Sequence, residues 1–135
     1  MILTLAAMAQ AAFAAETSVP VLRWPAVAGI NYPAEPEQLL GTVRDLYRQA
    51  DVPEVPFRLA AVVASAAPYK LAGGVSAHAF KSLQPGQYER VIVIAPGHGP
   101  MFENCSIPAV DLFLTPLGPV SLDAAAVRSL LFSPL

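Results

Sequence analysis

The chain has 135 residues with 8 basic and 10 acidic side chains, a net charge of −2. Hydrophobic residues make up 55% and charged residues 13%, against about 25% charged in an average soluble domain. This balance excludes a disordered chain, which needs low hydrophobicity and high charge. It also excludes a nucleic-acid binder, since no basic patch exists to displace phosphate counterions.

The length sets one domain, and 14 prolines call for many loops. A soluble domain this apolar needs an explanation: either part of the chain is outside the mature fold, or part of the fold lies outside the chain. Residues Ile2 to Ala15 are uncharged and rich in Ala, Leu and Met. That run is too short for a membrane span but fits the apolar core of a secretory signal. Ala12-Phe13-Ala14 supplies the small-x-small pattern for cleavage before Ala15, so residues 1–14 read as a signal peptide and 15–23 as a linker. The expected location is exported or periplasmic. No Lys or Arg precedes the apolar run, which leaves a mis-assigned start or a buried Ala-rich helix in a cytoplasmic protein as the alternative. Cys105 is the single cysteine and cannot form an internal disulfide, so cysteine usage is silent on compartment.

A Pro- and Gly-rich stretch, Trp24 to Pro33, reads as irregular. Pro36 then opens a helical pattern, where its missing N–H costs nothing. Leu39, Leu40, Val43, Leu46, Tyr47 and Ala50 fall at helical spacing, and Pro53 and Pro56 end the helix. Leu59–Ala64 is a continuous apolar run, as expected of a strand buried on both faces. A loop around Pro68, Gly73 and Gly74 leads to a helix through Val75, Ala79, Phe80 and Leu83, stopped by Gln84-Pro85-Gly86-Gln87. Arg90–Ala95 is a second, β-branched strand candidate. Strand, helix and strand at this spacing predict a βαβ unit with parallel strands. Thr115-Pro116-Leu117-Gly118 predicts a turn before a short strand around Val120, and Asp123 the N-cap of a helix over 124–131.

In an open parallel sheet, ligands bind beyond the carboxyl ends of the strands. Two loops then matter: Ser65-Ala66-Ala67-Pro68-Tyr69, with Lys70 beside it, and Pro96-Gly97-His98-Gly99-Pro100. His98 is flanked by glycines that let a ligand approach closely. Its imidazole suits metal ligation or acid–base work, or equally a hydrogen bond to its own turn. His78 is expected inside a helix on a face touching the sheet, in a structural role. Cys105 lies seven residues from His98, a spacing that matches no zinc pattern, and reads as a small hydrophobe. No phosphate loop, dinucleotide fingerprint or nucleophile elbow is present.

Four motifs in chain order resemble one family. Trp24-Pro25-Ala26-Val27-Ala28-Gly29-x-x-Tyr32-Pro33 is followed by the Leu39 helix, then by a Tyr-bearing loop with Gly73 and Ala77-His78-Ala79-Phe80. Val93-Ile94-Ala95-Pro96-Gly97-His98 and Phe113-Leu114-Thr115-Pro116-Leu117-Gly118-Pro119-Val120-Ser121-Leu122-Asp123 follow. The set resembles the Memo family, whose bacterial members are called AmmeMemoRadiSam system protein B. The resemblance implies a Memo-like domain over 24–135, covering about the first half of a family member. It also implies an α/β fold with βαβ units and a mostly parallel sheet, like the class III extradiol dioxygenases.

Intact members carry, by the same resemblance, an iron or copper site. Its ligands are a His in a P-H-A-G-Y loop, a His in a G-P-S-H loop, and a Cys in the second half. His98 matches the second. Ala66 stands where the first would be, and alanine cannot coordinate a metal, so no cofactor is expected in this chain. The expectation is a truncated or degenerate relative without intact metal chemistry, not active as an enzyme by itself. Two rivals stand beside it. One is a metal-dependent redox or dioxygenase-type enzyme completed by further sequence. The other is a module that binds a small molecule or peptide in a cleft formed by Tyr69, Lys70, Gly97, His98 and Gly99. Faces exposed by the missing second half are expected to offer a further surface for association.

Overall fold

A computed structural model describes residues 19–99 and 105–132. The 1–14 leader expectation therefore lies outside the described residues. In chain order the elements are β1 (Leu22–Arg23), α1 (Pro36–Gln49), α2 (Tyr69–Lys81), β2 (Leu112–Thr115), β3 (Gly118–Ser121) and α3 (Ala124–Leu131). The class is α/β, with a small three-stranded sheet ordered β1-β2-β3.

Local chemistry accounts for each helix end. Pro36 occupies the first turn of α1, and Ala50 ends it in an extended conformation. Two bonds then tie off its carboxyl end: the Lys81 ammonium donates to the carbonyls of Tyr47 (2.8 Å) and Ala50 (2.6 Å). A cation at this end also suits the helix dipole. Asp123 caps α3, its Oδ1 accepting from the Ala126 N–H at 2.9 Å. Its Oδ2 accepts from Arg90 Nε at 2.6 Å.

Asp111 organises the sheet. Its carboxylate accepts from the Val21 N–H (2.7 Å) and its own N–H donates to the Val21 carbonyl (2.8 Å). This sets the parallel register of Leu22 against Leu112. β2 and β3 form an antiparallel hairpin with Thr115 opposite Gly118. Thr115 Oγ1 clamps the turn, accepting from the Leu117 N–H and donating to the Gly118 carbonyl. Gly118 adopts φ +124°, which a side chain would strain. Pro119 is tolerated because β3 is an edge strand.

The structure corrects three expectations. The sheet is mixed, one parallel and one antiparallel pair, rather than mostly parallel. Leu59–Ala64 and Arg90–Ala95 belong to no strand, so the predicted parallel βαβ pair is not formed. Val63 is 95% exposed and Ile94 91%. A strand apolar on both faces needs cover on both, and the three helices and the short sheet do not supply it. Finally, α2 begins at Tyr69 and runs straight through Gly73 and Gly74, where a loop was expected.

The core is correspondingly small. Among the described residues, the buried hydrophobic side chains are Leu39, Ala50 and Ala77, all on the α1–α2 pair. Gly73 explains how closely these helices approach: a Cβ placed there would sit 2.9 Å from Leu46 Cδ1.

Candidate functional site

The site grows from the turn that precedes α1. Gly29 adopts φ +79°, a left-handed conformation that glycine takes without strain. Its N–H donates to the Tyr32 carbonyl at 2.7 Å, while the N–H groups of Ile30 and Asn31 converge on the Val27 carbonyl. This knot holds Tyr32 at the mouth of α1 and leaves the Asn31 carbonyl free to accept from the Tyr69 N–H at 2.8 Å. That single bond docks the first residue of α2 onto the turn. The Tyr32 and Tyr69 rings then lie 5.9 Å apart, tilted by 45°, within the range of favourable aromatic pairs.

The result is an open cleft of about 480 Å³ between the 29–35 turn, α1 and the start of α2. Its polar lining includes Asn31, Glu35, Gln38, Thr42 and Lys70. Lys70 lies in the first turn of α2, which has no side-chain cap, so the ammonium and the helix amino end give this wall a positive potential. Glu35 faces the same space at the start of α1.

Beyond Tyr69 lies a second, smaller cavity of about 180 Å³, lined by Val43, Leu46, Tyr47, Gly73, Ala77 and Phe80 among others. Leu46 and Tyr69 belong to both walls. Burial, with the neighbouring Tyr69 adding to it, pushes the Tyr47 hydroxyl above the ordinary tyrosine value.

Of the residues singled out in the sequence, Tyr69 and Lys70 line the first cleft. Gly97, His98 and Gly99 are not among its lining residues. His98 is exposed and makes no hydrogen bond with another described residue. The sequence places His78 on a face expected to touch the sheet, but α2 packs against α1 and not against the sheet. The His78 Nδ1 donates to the Gly74 carbonyl at 2.7 Å, which leaves Nε2 to accept from the Asp51 N–H at 3.3 Å. Its role is to join α2 to the end of α1. Cys105 is a free, exposed thiol.

The donor set of the described residues does not fit a bound transition metal. Among them no three His, Cys, Asp or Glu side chains come together. His98 stands alone, and Ala66 offers no ligand, whereas a working site wants about three protein ligands.

Sequence reasoning missed Tyr32, Asn31 and Glu35 as cleft residues. The available signal was the Gly29…Tyr32-Pro33 spacing, which marks a tight turn immediately before a helix.

The Memo family's sequence profile, described as "Memo-like protein", matches residues 23–134. The chain belongs to the Memo family. It is 35% identical over 116 residues to a MEMO1 family protein of Methanopyrus kandleri, covering 80% of this chain and 41% of that protein. A MEMO1 family protein of Ignicoccus hospitalis is 35% identical over 120 residues, covering 82% of this chain and 42% of its own. Protein MEMO1 of Xenopus tropicalis is 32% identical over 96 residues, covering 71% and 32%. The chain thus spans about two-fifths or less of the length of these relatives. No described helix is long and apolar enough to cross a membrane.

Proposed function

We propose that this Memo-family chain acts by binding, as a degenerate relative of metal-dependent dioxygenase-fold proteins. The ligand is a small molecule or a peptide, held in the cleft between the 29–35 turn and the start of α2. The observation that carries this is the Asn31–Tyr69 docking bond. It brings two tyrosine rings, a lysine and a glutamate to one concave surface. Clefts of this size, apolar with a few convergent polar groups, are the usual form of small-ligand sites. Export after cleavage before Ala15 belongs to the same proposal. So does association of the bare 59–64 and 90–95 runs with further polypeptide.

A second reading is a metal-dependent redox enzyme completed by sequence beyond this span. The greater length of the relatives favours it, and Ala66 weighs against it. Ligand screening by NMR on the 135-residue chain tests the proposal. Shifts should cluster on Tyr32, Tyr69 and Lys70 and vanish in Tyr32→Ala. Binding that maps to His98 and depends on added iron or copper would favour the second reading instead.

A further inference from the structure

Tyr69 stands between two chambers of opposite character. On its outer side the cleft of about 480 Å³ presents both a cation, Lys70, and an anion, Glu35. Neither is ion-paired among the described residues, so both charges remain available to a ligand. On the side of the α1–α2 contact a half-open hollow of about 180 Å³, the inner chamber, is walled mainly by Val43, Leu46, Tyr47, Ala77 and Phe80, with Ser65 and Ser76 at its polar margin. The inner chamber is comparable in size to one apolar side chain and offers no side-chain charge.

Leu46 and Tyr69 are shared by both walls. Leu46 packs over Gly73, its Cδ1 2.9 Å from where a Cβ there would sit. Tyr69 is fixed at its backbone by Asn31, yet the residue is 38% exposed and no described residue hydrogen-bonds its hydroxyl. A turn about χ1 would give up the Tyr32 ring pair but break no hydrogen bond that holds α2 in place. The ring is therefore the movable part of the partition.

We infer that Tyr69 sets ligand choice, and that the ligand is an amphipathic zwitterion of the α-amino-acid class with an apolar side chain. Its carboxylate and ammonium engage Lys70 and Glu35 in the outer chamber, and its side chain passes Tyr69 into the inner one. A purely anionic ligand would meet Glu35, and a purely cationic one Lys70, so a paired head group satisfies the lining best. This inference rests on the proposal that the cleft is a binding site.

The test is a titration of the 135-residue chain, followed by NMR, with L-phenylalanine, L-alanine and N-acetyl-L-phenylalanine. Phenylalanine should bind at least tenfold more tightly than alanine, because only its side chain fills the inner chamber. The N-acetyl form, which lacks the ammonium, should bind more weakly than phenylalanine. Ser65→Leu, which enters the inner chamber from an exposed position, should reduce the phenylalanine-to-alanine ratio towards one. Tyr69→Ala should do the same by merging the chambers, and the Ser65 variant guards against a folding defect there. Equal binding of phenylalanine and alanine, or a ratio unchanged in both variants, would overturn the inference while leaving the cleft as a site. If none of the three probes shifts Tyr32, Tyr69 or Lys70 but another compound in the screen does, the inference again fails alone. If no compound does, the cleft proposal fails with it.

Discussion

Gly73 and Gly74 are adjacent in α2 but face different surroundings, and that difference makes a sharp test of how the two helices pack. A Cβ at Gly74 meets nothing within 4 Å, whereas one at Gly73 would lie 2.9 Å from Leu46 Cδ1 and 3.4 Å from Cδ2. Alanine in place of a helical glycine gains about 1 kcal/mol from propensity alone. Gly74→Ala should realise most of that gain. Gly73→Ala gains the same amount but forces Leu46 aside, and overpacking of this kind costs about 1–3 kcal/mol.

Leu46 is only half-buried and its methyls are the free end of a flexible side chain, so the cost falls in the lower part of that range. Gly74→Ala should therefore be more stable than Gly73→Ala by about 1–2 kcal/mol. Urea unfolding followed by far-UV circular dichroism reads this directly, since slopes of about 1–3 kcal/mol/M turn such a difference into a clear midpoint shift. A double-mutant cycle isolates the contact. In a Leu46→Ala background the Gly73→Ala change should become stabilising, because the obstructing methyls are gone. If Gly73→Ala stabilises the intact chain as much as Gly74→Ala, or the cycle shows no coupling, the close approach of α1 and α2 at this point is wrong.

Three further outcomes are expected. Lys81→Met should lower stability by about 1 kcal/mol, because the ammonium closes the carboxyl end of α1 through two carbonyls; urea midpoints check it, and an unchanged midpoint would remove Lys81 from that role. Asp123→Ala should speed amide exchange in α3, while Asp123→Asn, which keeps a capping oxygen, should largely preserve protection. The Ala126 N–H and Arg90 together hold the Asp123 carboxyl below its ordinary value of 3.8. Its contribution is therefore full above 3.8 and is lost as pH falls through the lower folded-state value. Protection of α3 that declined already between pH 7 and 5 would contradict this. After dialysis the chain should carry far less than one equivalent of iron, copper or zinc, with His98→Ala making no difference and Ala66→His raising affinity. Stoichiometric metal lost in His98→Ala would show a site that the ligand count does not provide.

Features decided within a turn or two of chain were legible in the sequence. The 3.6-residue spacing from Leu39 to Ala50, with Pro36 at its head, marks α1. Asp123 before Ala124 marks α3, and Thr115-Pro116-Leu117-Gly118 marks the hairpin turn. Collinear motifs from Trp24 onward carry the family. In each case the governing energies lie between neighbours: a capping carboxylate and an N–H three residues on, a proline in a first turn, a glycine with positive φ. Strand pairing is not local. Leu59–Ala64 and Arg90–Ala95 carry every local mark of buried strands, but a ladder and cover on both faces must come from elsewhere in space, and the described residues provide neither. The β1–β2 pair escaped notice for the converse reason, since two residues at Leu22–Arg23 have no pattern of their own and are held by Asp111 from far along the chain. The cleft has the same origin. Tyr69 and Lys70 are legible as candidates in the sequence, but only the Asn31 carbonyl, reaching across from the turn before α1, brings Tyr32 and Glu35 to the same cleft.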